Sequence, residues 1–319
     1  MQKTFKTLDE QIGILESRGL IINDYNYAKD VLFKENYFFL NGYRHLLIDS
    51  EHNNRFVKGA TFDELYSIFI FDRRMRNIMF KNILIIENNI KSIISYQLSK
   101  KYGHREKDYL NPKHFKQENF RLSQVNDIIN KMKRQIRLNG KQHRATKHYI
   151  SNYGYIPMWV SVKVLSFGII AELYTILKDE DQEEIADFYK INKKELSIYL
   201  SILANYRNLC AHEDILYDHQ TQRNIPDNRY HQILNIPKVD DEYIYGKNDF
   251  FAVLIILKQM LGEDEFHDII REISYEMDIL DAKIDSVETK TILNKIGFPD
   301  NWRDISIIDW KDDLIWKIR

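Results

Sequence analysis

The chain has 319 residues, 44% hydrophobic and 29% charged, with a net charge of −1. This is the balance of a soluble globular protein of two domains, or of one large helical domain with extensions. The single cysteine, Cys210, excludes an internal disulfide and a cysteine-based zinc cluster. No apolar run approaches the roughly 18 residues of a membrane span, and Met1 to Leu8 holds no signal core, so a cytoplasmic location is expected.

Glycine (11) and proline (5) are scarce, which favours long helices over turns and strands. Thr7, with Glu10 three residues on, can cap a helix running to Arg18, with Gly19 as its stop. Asp24 or Asn26 can cap the next helix. Asn36 to Tyr43 is aromatic and bends at Gly42, and Asp49 to Gly59 reads as a loop. Thr61-Phe62-Asp63-Glu64 then opens the longest helical pattern, with apolar residues from Leu65 to Leu98 and a stop at Gly103. A helix of that length is the spine of a bundle. Its polar insert Asp72-Arg73-Arg74-Met75-Arg76 is read as a solvated face, with a phosphate-facing patch as the alternative.

The middle of the chain is basic. Lys101 to Ile150 holds thirteen Lys and Arg against four Asp and Glu, 13 − 4 = +9, and no acid occurs between Ile128 and Ala171. A basic helix is predicted from Leu122 to Leu138, and a basic loop from Gly140 to Ser151. Lys131, Lys133, Arg134, Arg137, Lys141, Arg144 and Lys147 are the candidate RNA-binding residues, because clustered cations are the electrostatic footprint of a nucleic-acid contact. Tyr149, Tyr153 and Tyr155 either stack on unpaired bases or pack against Pro157 and Trp159. Pro157 suits a helix start. Val160 to Leu177 is strongly apolar and predicts one buried helix, with Gly168 marking a close helix–helix approach. Short and long helices follow, the latter capped by Asn192. After Asp214, the stretch Tyr217 to Asn248 reads as a surface excursion. Phe250 to Leu261 and Glu263 to Ile284 return to helical periodicity, and Gly297 to Trp302 is a compact turn. Trp302, Trp310 and Trp316 are the aromatic anchors of the tail. The predicted organisation is an N-terminal helical segment at 1–60, a helical core at 61–215 with a basic insert at about 101–155, and a C-terminal extension at 216–319.

The chemistry-bearing stretch is Asn205 to Asp214. Asn208 and His212 lie four apart and share a helix face. Arg207 is five from His212, about 140° round the helix, so only its long side chain reaches a common substrate. An Arg that clamps phosphate, an Asn that orients it and a His that moves protons can together break a phosphodiester. The same three residues also fit an ordinary surface helix. Cys210 reads as a small buried hydrophobe. The other histidines lack ligand spacing, so neither metal nor cofactor is expected.

Several stretches together resemble the Abi family of bacterial abortive-infection proteins, of the AbiD and AbiF kind. They are Leu15 to Ile22, Asn36 to Tyr43, Phe71 to Arg76 with Ile86-Glu87, Trp159 with Ser166-Phe167-Gly168, Arg207-Asn208 to His212, and Gly297-Phe298-Pro299 to Trp302. The resemblance implies an all-α fold of HEPN type, a helical bundle with additional N- and C-terminal helices. It also implies metal-independent endoribonuclease chemistry at Arg207, Asn208 and His212 in phage defence, with an active site that often forms across a homodimer. One position departs from the pattern: relatives carry Glu four residues after the Trp, and here Lys163 stands. A nucleotidyltransferase-controlled toxin is a weaker fit, because Asp214 occupies the place of the modified Tyr. The expected partner is RNA, as substrate or as a noncoding antitoxin. The competing function is a non-catalytic RNA-binding module.

Overall fold

The computed structural model describes residues 4–49 and 55–308. Local capping chemistry sets the first helices. The Thr7 hydroxyl accepts from the Glu10 amide at 3.3 Å, and the Glu10 carboxylate accepts from the Thr7 amide at 2.8 Å, which opens α1 (Leu8–Ser17). Asp24 caps α2 (Tyr25–Glu35), and Asn36 caps α3 (Tyr37–Gly42), which a short 3-10 turn at Tyr43–Leu46 continues.

The spine is α4 (Phe62–Tyr102), 41 residues and roughly 60 Å at 1.5 Å per residue. Thr61 and Glu64 form its capping box, and the Glu64 carboxylate also accepts the Asp285 and Ser286 amides at 2.8 and 2.7 Å. Gly103, at φ 100°, ends it.

After α5 (Glu106–Tyr109) come α6 (Asn119–Gly140) and α7 (Arg144–Tyr153). The stretch expected to be a basic loop is thus largely helical, with Thr146 buried against the Gly140 carbonyl at 2.7 Å. The apolar run expected as one helix breaks into α8 (Met158–Ser161) and α9 (Phe167–Ile176). Ser166 causes the second start, because its hydroxyl accepts the Ile169 amide. Gly168 marks no close approach, since a Cβ there would meet nothing within 4 Å.

Next come α10 (Asp179–Phe188) and α11 (Lys193–Ala211), the latter capped by Asn192. The expected surface excursion instead packs inward: Ile225, Tyr230 and His231 are buried, around α12 (Arg229–Ile233). Strands β1 (Lys238–Val239) and β2 (Glu242–Tyr243) pair antiparallel, Lys238 opposite Tyr243. The fold closes with α13 (Phe250–Met260), α14 (Glu263–Asp281) and α15 (Thr289–Ile296). Among the described residues that hairpin is the only sheet, so the fold is all-α. No helix there is long and apolar enough to cross a membrane.

The core forms where α4 packs on α11 and α14, with α9 on the other side of α11 and α6 outside α9. α13 is buried on every side, Phe250 to Lys258 without exception. Trp302 is buried as an anchor, whereas Trp310 and Trp316 lie outside the described residues.

Candidate active site at the end of the eleventh helix

α11 and α4 run antiparallel: Arg207 meets Glu87, and Leu216 meets Asp72 nearer the start of α4. Arg207 Nε donates to Glu87 Oε2 at 3.2 Å, and its guanidinium sits 5.5 Å from the Phe80 ring centroid. Glu87 also receives Lys91 Nζ at 2.6 Å. One carboxylate therefore holds two cations, leaving one positive charge uncompensated. Only the Nε edge of Arg207 is taken, so its terminal nitrogens are the groups open to an anion.

His212 is the C-cap of α11, and its amide donates to the Asn208 carbonyl at 3.0 Å. Both side chains are exposed. The chain reverses by a Schellman turn: the Glu213 amide bonds the Cys210 carbonyl at 3.4 Å and the Asp214 amide the Leu209 carbonyl at 3.1 Å. The left-handed residue of this turn is Glu213, at φ 57°, where glycine is the unstrained choice. Burial pushes the Cys210 thiol up to about 12, which keeps it protonated and unreactive.

A buried ionic clamp fixes the turn. Asp72 and Arg76, each 3% exposed, pair across one turn of α4. Tyr43 OH donates to Asp72 at 2.7 Å, and Arg76 donates to Tyr43 OH at 3.0 Å and to the Asp214 carbonyl at 3.3 Å. The Leu216 amide donates to Asp72 at 3.2 Å. Burial pushes the Asp72 carboxyl up to about 6, against the pull of Arg76 and these donors. Tyr217 OH reaches the Gly42 carbonyl at 3.0 Å, and a Cβ at Gly42 would collide with Ile215. The insert from Asp72 to Arg76 is thus not the solvated face expected of it. Asp72 and Arg76 are core, Arg73 pairs with Glu35 at 2.6 Å, and Arg74 pairs with Glu276 at 2.7 Å.

A cleft of about 910 Å³ opens beside His212. Phe38 and Phe39, 76% and 52% exposed, line it together with Arg44, His45, Arg73 and the helix end at Ala211 to Ile215. The Nε groups of Arg44 and Arg73 are buried without a hydrogen-bond partner among the described residues. Arg207 and Asn208 stand one helical turn back, outside the cleft lining.

The basic residues sit elsewhere. α7 packs on α8, and α8 on the last third of α4, where the Met158 amide bonds the His104 carbonyl at 3.0 Å. From Glu87 to Gly103 is 103 − 87 = 16 residues of α4, about 24 Å of helix. Lys131 is tied to Asp127 and Glu172 at 3.0 and 2.9 Å. Lys133, Arg134, Arg137, Lys141, Arg144 and Lys147 are exposed and have no carboxylate partner among the described residues. Lys163 is exposed in the turn between α8 and α9. The carboxylate that meets Arg207 comes instead from Glu87 on α4.

The sequence did not reveal that Tyr43, Asp72 and Arg76 act together. Their one local signal is the (i, i+4) pairing of opposite charges inside an apolar run.

Fold and site define an all-helical protein whose Arg-Asn…His helix end is clamped to a long central helix. The family model of Abi-like proteins matches residues 30–218, more than half of the chain, and the chain belongs to that family. Membership implies a role in abortive infection, a phage-defence response. No curated protein and no solved structure matches the chain.

Proposed function

We propose that this protein is a metal-independent endoribonuclease of HEPN type, acting in the cytoplasm during abortive infection. The observation that carries the reading is convergence. Three stretches far apart in sequence (Tyr43, α4 from Asp72 to Glu87, and Arg207 to Asp214) meet along the last turns of α11 and the turn after it. Three of these contacts involve buried charge, which is costly to assemble and weak as a stability device. A cationic spot beside an exposed imidazole suits RNA cleavage, because RNA supplies its own nucleophile, the 2′-hydroxyl.

In this mechanism a base removes the 2′-hydroxyl proton while the 2′-oxygen bonds to phosphorus. The phosphorus–5′-oxygen bond breaks, and an acid protonates the leaving oxygen. His212 moves the protons, Arg207 holds the phosphate through its free terminal nitrogens, and Asn208 orients the phosphate. The motif carries one histidine per chain, and a homodimer lets two copies of His212 divide the acid and base roles. A noncoding RNA restraining the enzyme fits the six cations of α6, α7 and the turn between them that have no carboxylate partner among the described residues, and those cations are also the ground for the second reading, an RNA-binding module without catalysis. The two readings separate in one experiment. Labelled RNA incubated with purified protein in EDTA gives new fragments ending in 2′,3′-cyclic phosphate if the proposal holds. A mobility shift with intact RNA leaves only the binding module.

A further inference from the structure

The other end of α4 carries a second surface with the make-up of a ligand site, and its reading rests on the proposed function only for the choice of RNA as ligand. Aromatic rings run there in an unbroken series. Tyr149 and Tyr153 on α7 have ring centroids 5.4 Å apart, and Tyr153 and Tyr155 are 6.4 Å apart. Tyr155 is 5.5 Å from the His104 ring, and His104 stacks on Trp159 at 5.4 Å. Beyond Trp159 a cleft of about 470 Å³ ends at Tyr96.

Tyr149 packs against the core and Tyr155 and His104 are half-buried, but the other rings stand out from the surface. Tyr96, Tyr153 and Trp159 are 65%, 58% and 47% exposed. Exposed aromatic surface gathered in one strip marks a binding site rather than packing. Cations are interleaved with the rings. The Arg105 guanidinium lies 4.8 Å over Tyr155, and exposed Lys100 borders the cleft without a carboxylate partner among the described residues. Ser99 Oγ, in the same cleft, is buried with no hydrogen-bond partner among the described residues. The carboxylates nearby are already engaged, Glu106 by the Ile156 amide at 2.7 Å and Asp108 by the Arg105 amide at 3.2 Å.

We infer that the strip from Tyr153 through Tyr155, His104 and Trp159 to Tyr96 is a stacking track for unpaired RNA. Rings spaced along a surface accept bases by their faces, whatever the base, while interleaved cations follow the phosphates. A duplex cannot use such a track, because its bases are already stacked on one another. An acidic protein segment would use the cations but leave the ring series without a role. The track lies along α4 from the Arg207–Glu87 pair, so it grips a single strand at a distance from the point of cleavage.

The test uses the full-length His212→Ala protein, so that bound RNA stays intact. The probe is a fluorescent twelve-nucleotide oligouridylate, and the comparison is a duplex of the same length. Tyr153→Leu and Trp159→Leu should each weaken single-strand binding by about 5- to 100-fold, the worth of one base stack. Trp159→Phe should keep most of the affinity, because it keeps a ring, and should remove the tryptophan quenching that RNA produces in the parent. Folded ring variants that bind like the parent, or a duplex that binds as tightly as the strand, would overturn the inference. Cleavage by the protein with His212 intact is scored separately. Ring-dependent binding without cleavage sinks the ribonuclease and leaves the track standing. Cleavage with ring-independent binding does the reverse.

Discussion

Replacing Asp72 by Asn tests whether the buried clamp holds the motif in place. Asp72 and Arg76 are each 3% exposed, so the substitution leaves a guanidinium buried without its counter-charge. Breaking one side of such a pair costs about 3–5 kcal/mol. Asparagine keeps an oxygen for the Leu216 amide, which sets the expectation at the lower end, about 3 kcal/mol. With a urea slope of about 3 kcal/mol/M, the unfolding midpoint should fall by about 1 M. Adding Arg76→Met removes the bare charge, and the double variant should regain most of the lost stability. It should not regain activity, because the Asp214 carbonyl loses the donor that fixes the turn after His212. Urea titration followed by circular dichroism, with cleavage measured in parallel, decides the matter. A loss below about 1 kcal/mol for Asp72→Asn, or a double variant no more stable than the sum of the singles, would refute this account of the clamp.

Three further outcomes follow from the site. Arg207→Lys should leave the unfolding midpoint almost unchanged but lose most cleavage, since a point charge cannot both hold Glu87 and present a planar fork to phosphate; full activity in the lysine variant would remove Arg207 from the mechanism. Glu213→Gly relieves a left-handed residue and gives up only an exposed 3.7 Å contact to Arg73, so stability should rise by about 0.5–1 kcal/mol, read as melting temperature. Changing Arg134, Arg137, Arg144 and Lys147 to Ala should flatten the dependence of RNA affinity on salt, whereas Lys131→Ala should do little because its charge is already paired.

The parts of this fold written in local chemistry were legible from sequence. Thr7 with Glu10, Thr61 with Glu64, and Asn192 each satisfy amides within their own helix, so their positions follow from neighbours alone. The break between α8 and α9 was masked by an apolar run, and Ser166 was its only marker. α7 buries only Thr146 fully, with Ala145 and Tyr149 half-buried against the core, and this short stripe was hidden among basic and polar neighbours. At the site, the positions of Asn208 and His212 on one exposed side followed from helical spacing, but the strained turn at Glu213 did not, because glutamate gives no sign of a left-handed residue. The role of Asp72 and Arg76 depends on Tyr43, 29 and 33 residues away, a pairing created only by tertiary packing.

The central claim stands or falls on His212→Ala. Its side chain is exposed, so the substitution should change stability by no more than about 0.5 kcal/mol. RNA affinity should persist, cleavage in EDTA should vanish, and expression should cease to harm the host cell. A folded His212→Ala protein that still releases fragments with 2′,3′-cyclic phosphate ends would contradict the account.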